Sequence, residues 1–284
     1  MDGERTIASA TDCWRKLSAL QTLSVAFESH FFEVASEFTG YESGIVVCKS
    51  RQAIVQLHAL APIFRTSFAA LRSVTLQNII PLPIDAYAHV DSPFCGVTHL
   101  NISTASHTEL EDDDEHKALA VFYTTYFPRI LRGSTSTLTS LRLSAPNNVG
   151  IVPGICFDDL HYPHLERLYI RHAFYTEDAG PEPFILAHAA TLVDLEVDRC
   201  LIVYEDEDGP DRTWEQIADG FVDNLPHLRV FQYEHPSLLE SGYARWLEGW
   251  CWRLDDEQEE RDTAALERLV DVVDARDSLL ELGE

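Results

Sequence analysis

The spacing of leucines constrains this chain more than any other feature. Three hexapeptides share the form Leu-x-x-Leu-x-Leu: Leu138 to Leu143, Leu165 to Ile170 and Leu192 to Val197, with first residues 27 and 27 positions apart. Looser copies start at Leu71, Val97 and Leu228, and a degenerate one, Leu20-Gln-Thr-Leu23-Ser-Val25, precedes them. Alternation within each copy marks a short strand with one buried face. The remaining residues of each period suffice for a helical return. No unit of this kind can bury its apolar side alone, so successive units must stack.

These are the marks of a leucine-rich repeat. The expected fold class is α/β: a solenoid with a curved parallel sheet on its concave side, helices on its convex side and a C-terminal capping helix. Residues 1–284 are expected to form a single domain of about six to eight repeats. Residues 15–236 would hold the repeats, and residues 237–284 a cap with an acidic amphipathic helix.

Uneven spacing locates the insertions. The 41 residues from Val97 to Leu138 contain the acidic run 109–115 and a helix-like stretch from about Lys117 to Leu131. The 36 residues from Leu192 to Leu228 contain the acidic run 205–211, then a helix whose Trp214, Ile217 and Phe221 share a face. Asp211 or Thr213 can cap its start. Between Leu165 and Leu192 the return runs from Pro183 to Ala190. Ser50 to Leu60 reads as a helix stopped by Pro62. Trp246, Trp250 and Trp252 crowd the segment 237–255. From Arg261 the tail places Leu266, Leu269, Val270 and Val273 on one helical face, able to cover a last strand that otherwise offers an open edge.

Charge narrows the partners. Asp plus Glu number 47 against 21 Lys plus Arg, a net −26 that repels phosphate backbones and anionic lipid. Neither nucleic acid nor a membrane is expected as a partner. Six cysteines lie scattered without a C-x-x-C pair, and no charged-then-apolar leader opens the sequence. Both observations point to reduced thiols in the cytoplasm or nucleus.

Strand alternation directs the residues between the leucines, and the one after, toward the concave face. For the six better copies this gives 24 positions, five of them arginines (Arg72, Arg142, Arg167, Arg171 and Arg229), although the whole chain has 18 in 284 residues. Arg142, Arg167 and Arg171 around Tyr169 form a candidate site for a carboxylate or phosphate-bearing peptide, held by bidentate contacts. Arg72, His99, Asn101 and Arg229 extend it. The competing reading pairs these arginines with carboxylates on neighbouring strands, such as Glu166 or Asp194.

Catalytic and metal motifs are weak. His161-Tyr-Pro-His164 supplies two imidazoles where a metal needs three or four convergent ligands, so it reads as the turn into the next strand. Tyr204-Glu-Asp-Glu-Asp-Gly209 mimics a calcium loop but opens on tyrosine where aspartate belongs. No nucleophile elbow, P-loop or dinucleotide fingerprint occurs. Cys200 closes its repeat where a ladder asparagine or cysteine belongs, and is expected to be buried and inert. No catalysis, no metal and no cofactor is expected.

The stretch from Phe157 to Ile170, followed by Phe184-Ile-Leu-Ala-His-Ala-Ala-Thr-Leu and the closing Cys200, resembles F-box-associated leucine-rich-repeat proteins. The likeness is to the expanded set of mushroom-forming fungi in particular. That resemblance implies a substrate-recognition module of a ubiquitin ligase, binding a protein or peptide on its concave strands. In that family an F-box of about 45 residues docks onto a cullin-ligase adaptor. None is evident before Leu20, so adaptor docking would need an F-box supplied elsewhere. The first expectation is thus a non-catalytic protein-interaction module. The second is an orphan or structural repeat protein without a ligase role, which heavily paired charge across the strands would favour. A small-molecule enzyme comes third and would need a deep apolar pocket.

Overall fold

Each of the seven leucine-pattern copies enters a strand two residues after its first position. In the computed structural model these strands are β1 (Thr22–Ala26), β3 (Ser73–Ile79), β4 (His99–Thr104), β6 (Ser140–Val149), β7 (Arg167–Tyr175), β8 (Asp194–Asp198) and β10 (Val230–Glu234). The structure describes residues 16–31, 51–81, 94–107, 121–134, 136–149, 157, 160–175, 180–204, 212–234, 242–245 and 256–281. Shorter strands are β2 (His30–Phe31), β5 (Ser106–His107), β9 (Leu201–Tyr204) and β11 (Tyr243–Arg245). Helices are α1 (Arg51–Phe64), a π-helical turn at Phe122–Tyr126 running into α2 (Phe127–Arg132), α3 (Pro181–Leu186), α4 (Trp214–Asn224) and α5 (Asp256–Glu281). The fold is α/β with parallel pairing. The acidic runs 109–115 and 205–211, and Trp246, Trp250 and Trp252, lie outside the described residues.

Strand entry repeats one backbone device. The carbonyl of Gln21 accepts the amides of both Arg72 and Ser73 (2.8 and 3.0 Å), and that of Arg72 accepts those of Thr98 and His99 (2.8 and 3.0 Å). Glu166 likewise serves Val193 and Asp194 (2.8 and 2.9 Å), and Val193 serves Arg229 and Val230 (2.8 and 3.1 Å). Register between neighbouring strands is therefore set at their first residue, and the leucine phase follows from it.

The described residues fall into two compact units, the first within Met1–Thr139 and the second within Ser140–Ile151 and Phe157–Glu284. In the first, β1, β3 and β4 pair in parallel, and β2 pairs with β5. Its core holds Leu60, Ile63, Phe64, Leu71, Val74, Leu76 and Leu100, with the Phe64 and Phe94 rings edge to face at 5.9 Å. The expected stop of α1 at Pro62 is corrected: the helix runs through it to Phe64. A proline there forfeits a hydrogen bond and costs about 3 kcal/mol. Leu60, Ala61, Ile63 and Phe64 around it are buried. At about 1.5–3 kcal/mol for each large apolar side chain, packing wins. Thr66 closes the end by donating its hydroxyl to the Pro62 carbonyl at 2.7 Å.

In the second unit β6, β7, β8 and β10 pair in parallel, and β9 pairs with the far end of β7 and with β11. Leu141, Leu143, Leu168, Ile170, Leu195, Val197 and Phe231 are buried on one face. Trp214 of α4 meets Tyr233 on that face, ring to ring at 5.8 Å. The opposite, polar face carries the predicted outward residues. Thr213 caps α4 in a reciprocal box with Gln216 (3.2 and 3.1 Å), and Trp214, Ile217 and Phe221 are buried. Helix α5 starts at Asp256 rather than Arg261 and buries Leu266, Leu269 and Val273. Asp262, also buried, accepts the Tyr243 hydroxyl at 2.6 Å and the Glu215 amide at 2.9 Å, tying α5 to the start of α4.

Three copies kink at the same place. Asn78, His172 and Arg199, each the eighth residue of its copy, have φ of 59°, 54° and 49°. This left-handed conformation costs a non-glycine residue about 1–2 kcal/mol. Two of the three reach back to the preceding strand, Asn78 Nδ2 donating to the Phe27 carbonyl (2.9 Å) and His172 Nδ1 lying 2.6 Å from the Ala145 carbonyl. Directly after the third kink, Cys200 is fully buried, its Sγ accepting the Ala173 amide at 3.4 Å and facing the Asp198 carbonyl at 3.5 Å.

Candidate functional site

Strand register brings the central candidates into rows on the polar face of the second unit. Ser140, Arg167, Asp194 and Val230 form one row, Arg142, Tyr169, Glu196 and Gln232 the next, and Ser144, Arg171, Asp198 and Glu234 the third. Neighbours along a row are about 4.8 Å apart, close enough for long side chains to pair across two strands.

The middle row stacks. The Arg142 guanidinium carbon lies 3.4 Å from the centroid of the Tyr169 ring, and Arg142 Nη1 is 3.8 Å from Glu196 Oε2. The Tyr169 hydroxyl donates to Asp198 Oδ2 at 2.9 Å, which holds the ring flat beneath the guanidinium. Burial foremost, then the Asp198 carboxylate, pushes the phenol up to about 12 despite Arg142 and Arg171.

The third row is an alternating chain of charge. Asp198, with only 8% of its side chain exposed, has Arg171 Nε at 3.1 Å on one side and Arg199 Nε at 3.6 Å on the other. Arg199 then donates from Nε and Nη2 to Glu234 Oε1 at 3.1 and 2.7 Å. That hydrogen-bonded contact, more than charge at a distance, lowers the Glu234 carboxyl and raises Arg199. Arg171 thus faces a carboxylate while keeping a third of its side chain exposed. Arg199 was missed because strict alternation sends it inward; its left-handed backbone turns it onto the polar face. Nothing in an arginine's identity signals that kink.

Between the first two rows lies a hollow of about 170 Å3, lined by Ser140, Arg142, Arg167, Tyr169, Asp194 and Glu196. Burial holds the Asp194 and Glu196 carboxyls above the usual carboxylate range, with Arg167 and Arg142 respectively offsetting part of the rise. One row further out, Arg229 is exposed and has no side-chain hydrogen bond or ion pair among the described residues. A hollow of this size is below the roughly 300–1,000 Å3 of small-molecule pockets. It suits one inserted side chain flanked by both signs of charge.

Arg72, His99 and Asn101 belong to the first unit. His99 and Asn101 stand on β4 opposite Ser73 and Thr75. His99 Nδ1 lies 2.8 Å from the Thr98 hydroxyl. Arg72 turns its guanidinium onto backbone, with Nη1 donating to the carbonyls of Leu71 (2.9 Å), Ala69 (3.2 Å) and Gly96 (3.3 Å). A Cβ at Gly96 would come within 2.9 Å of that nitrogen, so glycine there leaves room for the clamp. Arg72 therefore fastens the turn into β3.

Of the two candidate imidazoles, His164 is exposed and His161 packs against a third histidine. His161 stacks on His188 at 5.4 Å, and the Tyr162 amide donates to His188 Nε2 at 3.0 Å. With Nε2 accepting, the ring proton sits on Nδ1 and bonds the Phe184 carbonyl at 2.7 Å. Among the described residues no group of three or more His, Cys, Asp or Glu is placed to hold a metal ion. Burial pushes the Cys200 thiol up to about 12, keeping it protonated at neutral pH. No described helix is long and apolar enough to cross a membrane. Compared with models of known protein families and with curated proteins, the chain matches none.

Proposed function

We propose that the chain is a leucine-rich-repeat solenoid and a non-catalytic protein-interaction module that binds a protein or peptide segment on its polar strand face. The observation that carries this is the hollow at Arg142, Arg167 and Tyr169. There a stacked guanidinium and two carboxyls of raised pKa surround a side-chain-sized space between two rows of the sheet. Arginine and tyrosine are the residues that most often anchor binding hot spots. Both signs of charge line the hollow, so the favoured ligand is a polar segment offering donors and acceptors, not a phosphate. The resemblance to F-box-associated repeats would make this segment part of a ligase substrate.

One observation favours the second reading, a structural or orphan repeat. Arg142 with Glu196, Arg171 with Asp198 and Arg199 with Glu234 pair charge across most of the face. The two readings separate by selecting peptides from a random phage library against the whole chain, then measuring their affinities by fluorescence anisotropy. Selected peptides should bind Arg142→Glu/Arg167→Glu at least about tenfold more weakly, a loss near 1.4 kcal/mol. The melting temperature should hold. Peptides that bind both proteins equally, or no selection at all, would leave the structural reading standing.

A further inference from the structure

Helix α5 divides its charge unevenly. All three of its arginines turn to α4: Arg261 toward Glu215 (3.8 Å), Arg268 onto Asp219 (2.6 Å) and Arg276 onto the carbonyls of Leu225 and Val222 (both 2.8 Å). The last contact places a cation at the C-terminus of α4, where the helix dipole favours it. The opposite flank keeps its acids uncompensated. Glu259 and Glu267 are exposed and have no ion pair among the described residues.

Along that flank runs a groove of about 270 Å3. Its floor is Tyr233 of β10 with Leu266 and Val270 of α5 and the buried Asp262, whose carboxylate is already bonded, and its rim is Glu259, Thr263 and Glu267. A second hollow of about 410 Å3 continues outward over Glu260 and Ala264. An apolar floor under an acidic rim is complementary to an amphipathic segment whose polar side is basic. A second copy of the chain does not meet that description, because each copy carries a net −26.

We propose that the groove beside α5 docks a basic amphipathic segment of another protein, its apolar side chains on Tyr233, Leu266 and Val270 and its cations against Glu259 and Glu267. This surface is separate from the strand face and does not rest on the reading of it. Docking is driven by burial on the floor and oriented by the rim, so binding should weaken but persist as salt rises.

The test uses the whole chain and a fluorescein-labelled helical probe of leucines and lysines, roughly 18 residues or five turns long. The same probe with glutamate for lysine is the control. Saturable binding of the lysine probe alone is expected. Glu259→Lys/Glu267→Lys should weaken it by about tenfold or more, as should Val270→Gln. Glu257→Lys/Asp223→Lys, matched in charge but off the groove, should stay within about twofold. Thermal melts would verify that each variant is folded. No saturable binding by the unmodified chain overturns the proposal, as does equal loss in both charge-matched pairs, which would mean diffuse attraction to an acidic protein. Full binding by Val270→Gln overturns it too. Sedimentation revealing a dimer that Glu259→Lys/Glu267→Lys dissolves would assign the groove to a second copy instead.

Discussion

The guanidinium of Arg142 lies over the ring of Tyr169, 3.4 Å from its centroid, although the two residues come from different strands. Below the plane, the same tyrosine is tied through its hydroxyl to Asp198. An exposed cation thus rests on a platform held rigid by a buried anion. Arg142 is about half exposed, so its stacking should contribute only about 0.5–1 kcal/mol to stability. Tyr169→Phe removes a hydrogen bond to a carboxylate and should cost more, about 1.5 kcal/mol. Urea midpoints of Arg142→Ala and Tyr169→Phe give the order. A larger loss for Arg142→Ala would contradict the platform arrangement.

Asp198 is the shared anion of the third row, and its loss should be felt beyond any one pair. Asp198→Ala leaves Arg171 and Arg199 without their central carboxylate. Removing one partner of a fully buried pair costs about 3–5 kcal/mol. Both arginines are a third or more exposed, which reduces the expectation to about 2–3 kcal/mol. Glu234 is 58% exposed, so Glu234→Ala should cost less than about 1 kcal/mol. Melts in 1 M salt should abolish the Glu234 effect and preserve most of the Asp198 effect.

His188 gives the fold a dependence on mildly acid pH. Burial lowers its pKa from the ordinary 6.5, against a smaller upward pull from the Phe184 carbonyl. The folded ring therefore stays neutral where the unfolded ring takes a proton. Its stabilising contribution is present above about pH 6.5 and is lost as pH falls from there through the folded pKa. His188→Asn should be destabilised relative to the natural chain at pH 7.5, with the gap narrowing by pH 5.5. His172 shifts in the same direction, and Asp194 and Glu196 shift upward with the opposite effect on stability. All three remain in the variant and cancel in the difference. A gap that stays constant with pH would remove His188 as the source.

Cys200 and Cys95 should differ sharply in reactivity. Cys200 is fully buried with a thiol pushed up to about 12, while Cys95 is exposed. Iodoacetamide at pH 8, followed by peptide mass spectrometry, should label Cys95 in the native protein and reach Cys200 only in denaturant. Native labelling of Cys200 at a comparable rate would mean that the interior of the β7–β8 repeat opens readily.

Much of the fold was legible because its signal is local. Leucines two and three residues apart read out a strand with one wet face, and the strands appear in that phase from Leu23 to Phe231. The Thr213 capping box and the apolar stripe Leu266, Leu269 and Val273 were legible for the same reason. Pro62 was misread because a propensity rule was applied without the buried Leu60, Ile63 and Phe64 that override it. Strands β9 and β11 went unread, each too short to show a period. At the site, the outward direction of Arg142, Arg167, Tyr169 and Arg171 was legible, as was Asp194 as a carboxylate that Arg167 meets, but Glu196 beside Arg142 and Asp198 beside Arg171 were not.

By itself the sequence determined which strand residues face the core and which the polar face, Arg199 excepted, because that choice depends mostly on neighbours a few positions away. Tertiary structure alone decided the partners. Glu196 lies 54 positions from Arg142, and Glu234 35 positions from Arg199. Such meetings depend on how distant strands align and on where a left-handed kink turns a side chain. The same alignment decided which carboxylate each arginine meets, Glu196 for Arg142 and Asp198 for Arg171, and left a side-chain-sized hollow between two of the rows. Charge on a parallel sheet is summed across strands, and the sum is known only when the register is.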